Sequence, residues 1–191
     1  MKFKFSILKT LLYMFIFLNI FNSAFSKTTE YNYNVKNISN YFSGLISFDR
    51  IDYKNSQKFF KKLDNFEEHS SNYSSKLLQS LVNTENYNEA LQHSRKLDKK
   101  KIYNFEKNLI LGLNEFKNRN YKNAKIYFNK LDPNFENLYI YEILKASLNA
   151  WSDFSESKNF NDLKGLYSIN SAYKNLTDIQ TIFAKCYVND L

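Results

Sequence analysis

At positions 121–131 the chain reads YKNAKIYFNKL, and at 53–63 it reads YKNSQKFFKKL, with six of the eleven positions identical. Aligned on tyrosine, the echo has a period: Tyr53, Tyr87 and Tyr121 are spaced by 34 residues. Three, seven and ten residues beyond each tyrosine stand Ser56, Phe60 and Leu63, then Ala90, Ser94 and Leu97, then Ala124, Phe128 and Leu131. Steps of three, four and three put those side chains on one face of a helix.

Nine residues before each tyrosine stand Gly44, Leu78 and Gly112. The stretches around them, YFSGLISFDR, SSKLLQSLVN and NLILGLNEFK, are also helical in pattern. Each unit therefore reads as two helices joined by a short polar turn. The expected fold class is all-α, with units at about 37–70, 71–104 and 105–138.

A 34-residue period of paired helices resembles the tetratricopeptide repeat family. Gly44 and Gly112 match its small residue in the first helix, and Ser56, Ala90 and Ala124 match its small residue in the second, so the resemblance implies that Ala124 sits in a helix crossing opposite Gly112. Tyr53, Tyr87 and Tyr121 match the aromatic that opens the second helix, and Phe60 and Phe128 match its later large apolar residue. Pro133 falls in the loop after the third unit, where the family often carries proline. Leu78 and Ser94 depart from the pattern in the second unit, and the family's early tryptophan is unmatched. The resemblance implies a right-handed superhelical solenoid of antiparallel helix pairs. It also implies a groove, lined by the first helices, that binds a protein or peptide.

A degenerate fourth unit is expected at 139–177, with LYIYEILKASLNAWSDF (138–154) as its first helix. Phe160, Leu163 and Tyr167 follow at a shifted spacing, and Trp151 falls where a small residue is expected. A final helix, 171–188, carries Ile179, Ile182, Phe183, Tyr187 and Val188. Such an apolar face demands a cover, and two readings compete: the helix is itself the cap, or the chain is the N-terminal piece of a longer repeat array. Self-association through this helix is the expectation if the chain ends at Leu191.

The N-terminus reads as an address. MKFKFSILK is basic, LLYMFIFL (11–18) is apolar, and Ala24-Phe25-Ser26 offers small residues before Lys27. This order is that of a secretory signal peptide, expected at 1–26 and removed after Ser26. The alternative is an uncleaved membrane anchor, although the apolar run is shorter than the roughly 20 residues that span a bilayer. Residues 27–36 read as a lead-in, and 37–191 as the helical domain. With the signal, the resemblance is to an exported bacterial member of the family, placed in the periplasm.

Gly is 3 and Pro is 1, which excludes an all-β chain with its many turns. Lys, Asn, Ile, Phe and Tyr dominate, as an AT-rich genome would favour. Removing the three lysines before residue 27 lowers the formal +8 to +5. The remaining lysines alternate with acids and arginine is scarce, so no nucleic-acid partner is expected.

No catalytic signature, cofactor motif or metal-ligand spacing is present, and the chain reads as non-enzymatic. His69 and His93 read as surface residues and Cys186 as a buried thiol. Tyr41, Phe48, Gln79, Asn83 and Lys117 are the candidate lining of the groove. The paired Lys and Asn with which some family members hold a C-terminal carboxylate are absent, because the matching places carry Tyr41, Leu45, Ser75 and Gln79. The leading reading is a protein-binding scaffold in the cell envelope. The alternatives are a basic module in peripheral contact with an anionic membrane or cell-wall surface, and a non-catalytic subunit of an envelope complex or an unrecognised enzyme.

Overall fold

Tyr53, Tyr87 and Tyr121 each open a helix. In the computed structural model, residues 35–63, 66, 70–131, 138–163, 166 and 174–189 are described, and their regular structure is entirely helical. The elements are α1 (Val35–Asp49), α2 (Tyr53–Phe60), α3 (Ser71–Asn83), α4 (Tyr87–Lys99), α5 (Phe105–Lys117), α6 (Tyr121–Asn129) and α7 (Leu138–Ser157). A 3₁₀ turn follows (Phe160–Leu163), and then α8 (Lys174–Asn189). Residues 1–34, which hold the expected signal peptide and most of the lead-in, lie outside the described residues, as do His69, Pro133 and Tyr167.

Successive helices from α1 to α7 pack on one another, and α3 also meets α1 and α5. Buried side chains form clusters that follow one another along the chain. Phe60, Leu77, Leu78 and Leu97 belong to the first. Ala124, Phe128 and Leu131 make the next, and Ala150, Phe154, Leu163, Leu166 and Ala184 the one after.

The turn between the helices of a pair recurs with the same geometry. Ile51, Glu85 and Arg119, again 34 residues apart, all adopt the left-handed backbone, with φ of 62°, 61° and 60°. Behind each, the next N–H reaches back five residues: Asp52 to Ser47, Asn86 to Leu81 and Asn120 to Glu115, all at 2.9 Å. This is the Schellman closure, which satisfies the last carbonyls of a helix and usually places glycine at the left-handed position. Here three ordinary residues hold it, which explains how so few glycines serve so many turns.

Strain at these positions is greatest at Ile51, because a β-branched side chain crowds the backbone at positive φ. Its side chain is 72% exposed and contributes little packing. Ile51→Gly is therefore expected to stabilise the protein by about 1 kcal/mol. Urea denaturation checks this, and a lower midpoint would show that the turn is unstrained.

Asp52 then caps α2, accepting from the Asn55 amide N–H at 3.2 Å and from the Asn55 side chain at 2.7 Å. The Asn55 side-chain hydrogen bond, aided by that of its backbone, holds the Asp52 carboxyl below its ordinary value. The cap therefore supports α2 at neutral pH and is lost as pH falls through the folded value.

The helices of a pair cross through a glycine. A Cβ built on Gly44 would lie 2.5 Å from Phe60 Cε1, and one on Gly112 would lie 2.4 Å from Phe128 Cε1. The phenyl rings thus fill the space that a side chain would occupy. The open side of Gly112 thus faces Phe128. The second small residue lies beside the glycine carbonyl, as the Ser56 Oγ–Gly44 O hydrogen bond of 3.1 Å shows in the first unit. In the second unit the bulk changes sides. Leu78 stands at the glycine position and Ser94 at the phenylalanine position, and both are fully buried.

The expected final helix forms and docks by one face only. Thr177, Ala184 and Val188 turn inward, with Ala184 and Val188 in the cluster of Phe154 and Leu166. Gln180 binds across to α7, accepting from Trp151 Nε1 at 2.9 Å and donating to Ser147 Oγ at 3.2 Å. Cys186 is exposed rather than buried, because it lies on the face turned away from that contact.

Candidate functional site

Three helices open a cavity of about 500 Å³ between them. On α5 the lining residues are Glu106, Leu109, Ile110, Leu113, Asn114 and Lys117. Their spacing of three, one, three, one and three is one continuous face of a helix. From α3 come Leu78, Gln79, Val82 and Asn83, and from α4 Tyr87, Asn88, Ala90 and Leu91.

Of the candidates read from sequence, Gln79, Asn83 and Lys117 all line this cavity. Tyr41 and Phe48 do not. Tyr41 is half-buried and packs on Phe66 and Phe60, with ring centroids 5.1 and 6.4 Å away. Phe48 lies against Tyr53 at 5.4 Å, with Lys76 Nζ 4.0 Å from its ring centroid. Both aromatics serve the packing of the first unit. Helical spacing placed them on the correct helix, but an aromatic at that spacing can serve packing as readily as a groove.

A polar chain fixes one end of the cavity. Asn104 caps α5 by accepting from Lys107 N at 2.8 Å, and it donates to Ser75 Oγ at 2.8 Å. Ser75 Oγ donates to Glu106 Oε2 at 2.7 Å, and Gln79 Nε2 donates to Glu106 Oε1 at 2.7 Å. The Glu106 carboxylate is thus held by neutral donors, and no described cation forms an ion pair with it. It also sits in the first turn of α5, where the helix dipole favours an anion. Asn83 turns back to donate to Gln79 O at 2.8 Å.

Lys117 stands in the last turn of α5, exposed and outside every ion pair among the described residues. Eleven residues separate it from Glu106, about 16 Å along the helix. Between the two charges run Leu109, Ile110 and Leu113, the last of them 44% exposed. The site therefore has a negative end, an apolar middle and a positive end. Sequence reasoning missed Glu106 and Asn114, although their spacing from Ile110 and Lys117 on one helix face could have found them.

Away from the cavity, His93 is half-buried, with its ring edge-on to Tyr73 at 6.3 Å, rather than on the open surface. Among the described residues, no group of three or more His, Cys, Asp or Glu is arranged to hold a metal ion. Comparison of the chain with protein-family models, with curated proteins and with solved structures finds no match.

Proposed function

We propose that this chain is a non-enzymatic interaction scaffold of the tetratricopeptide-repeat kind. In this reading it is a right-handed superhelical solenoid of helix pairs that holds a protein or peptide segment in the α3–α4–α5 cavity. The observation that carries the reading is that cavity, with apolar walls between a carboxylate and an ammonium that form no ion pair among the described residues. The recurrence of one turn at 34-residue spacing, and of one glycine–phenylalanine crossing in the first and third units, supports the repeat architecture. The basic start and apolar run of the sequence support a place in the cell envelope, with the signal peptide removed after Ser26.

The pattern of the site defines the ligand. It should carry a basic residue at one end, an acidic residue at the other and apolar side chains between. About 16 Å corresponds to roughly five residues of extended peptide. A basic-surface reading is less well supported, because Lys61, Lys76, Lys107, Lys122 and Lys125 each sit beside an acid.

Peptide display on the purified protein tests the reading. Enriched peptides should show this charge pattern and should lose at least about tenfold in affinity for Leu113→Glu, which buries a charge against the bound segment. Lys117→Glu should invert the preference at one end. Thermal melting should be unchanged in both variants. Failure to enrich any peptide, or binding indifferent to Leu113→Glu, would overturn the proposal.

A further inference from the structure

Two of the three repeat tyrosines carry a phenylalanine against the ring. Phe48 lies 5.4 Å from Tyr53, centroid to centroid, with the ring planes at 70°. Phe116 lies 5.3 Å from Tyr121, with the planes at 67°. The two pairs are one edge-to-face contact, made in the first unit and again in the third. In each, the phenylalanine ends the first helix and stands five residues before the tyrosine, across the turn. Both tyrosines are half-buried.

In the second unit that position is Val82, which is too short to supply a ring. Tyr87 makes no ring contact among the described residues and is 60% exposed. Val82 and Tyr87 both line the cavity of α3, α4 and α5. A further wall also changes. Lys76 Nζ lies 4.0 Å from the Phe48 ring centroid in the first unit, and 34 residues beyond Lys76 stands Ile110, which lines the cavity too. The place that borders on a cation in the first unit therefore borders on an aliphatic side chain in the second. The cavity, of about 500 Å³, has room for a ring, since about 150 Å³ of apolar space takes benzene. The repeat itself shows what this place seats. An aliphatic side chain would fill it but forfeit the edge-to-face contact with Tyr87.

We infer that Val82, Tyr87 and Ile110 form an aromatic subsite, which takes a phenylalanine, tyrosine or tryptophan side chain of the bound segment in the place that Phe48 and Phe116 fill from within the chain. The inference rests on the peptide-binding reading for its ligand and sharpens it. The bound segment carries an aromatic residue between its basic and acidic ends.

Nuclear magnetic resonance of the purified protein with N-acetylphenylalanine amide tests the subsite directly. At millimolar concentration, the range in which a fragment of this size binds, the amide should shift the Tyr87 ring signals, assigned by their loss in Tyr87→Leu. N-acetylleucine amide should bind about three- to tenfold more weakly, which is the worth of an edge-to-face pair. Tyr87→Leu should abolish that difference and leave melting unchanged. Val82→Phe should supply the ring from within and weaken binding of the phenyl amide by at least about tenfold. Equal binding of the two amides, binding of neither, or a preference that survives Tyr87→Leu overturns the inference. Displayed peptides separate it from the reading on which it rests. Enriched peptides that keep the charge pattern but lack an aromatic residue overturn the subsite alone. A protein that takes the phenyl amide as expected but enriches no peptide keeps the subsite and overturns the scaffold.

Discussion

Gly112→Leu is expected to destabilise the protein by about 2–3 kcal/mol, because the new side chain must enter space already filled by Phe128. The ring atoms Cε1 and Cδ1 would lie 2.4 and 2.6 Å from the added Cβ, and Phe128 is fully buried with nowhere to swing. Phe128→Ser alone should cost about 3–5 kcal/mol by leaving a cavity. The combination should cost clearly less than the sum, with a coupling of about 2 kcal/mol. The second unit already carries this arrangement, with Leu78 and Ser94 in the two places. The mirror experiment, Leu78→Gly with Ser94→Phe, should likewise recover much of the loss of its single variants. Chemical denaturation of the four proteins in each cycle measures the coupling. Strictly additive losses would mean that the two positions do not share a volume.

Asp98→Ala is expected to cost about 2–3 kcal/mol, because it strands a buried ammonium. Lys107 Nζ lies 3.0 Å from Asp98 Oδ1, and its side chain is only 6% exposed while that of Asp98 is 35% exposed. Removing one partner of a fully buried pair costs about 3–5 kcal/mol, and the water that reaches Asp98 lowers that figure. The reverse change should behave differently. Lys107→Met leaves a carboxylate that already sees solvent and should cost under about 1 kcal/mol. Equal losses from the two variants would remove the explanation.

The same substitution reports on Tyr127, whose hydroxyl donates to Asp98 Oδ2 at 3.3 Å. Burial first, and then the Asp98 charge, pushes the Tyr127 hydroxyl above its ordinary value of 10.0. A raised folded value means that this stability is present below pH 10.0 and is lost as pH rises through the folded value. In Asp98→Ala the tyrosine should ionise at lower pH, which ultraviolet absorbance would follow.

The helices themselves were legible in the residues. The 34-residue tyrosine spacing located α2, α4 and α6, and the face defined by Ala124, Phe128 and Leu131 is buried as its period required. Local periodicity fixes these things, because a helix needs only its own residues to define an apolar stripe. Gln79, Asn83 and Lys117 were placed on the cavity for the same reason. They lie on first helices of their units, opposite the buried stripe.

What faces what was decided only by the packing of one helix against another. Gly112 meets Phe128 through its open side, and Leu78 with Ser94 keeps the same volume filled with the bulk exchanged. Read along the chain, those two residues look like departures. The left-handed residues at Ile51, Glu85 and Arg119 carried no glycine signal, since Schellman hydrogen bonds hold them against the local preference of each side chain. Tyr41 and Cys186 went the other way from expectation, one into the aromatic packing of the first unit and one onto an open face. The sequence period determined which side of each helix is apolar. The crossing of helices, a sum of many weak contacts between residues far apart in the chain, determined which apolar side is covered.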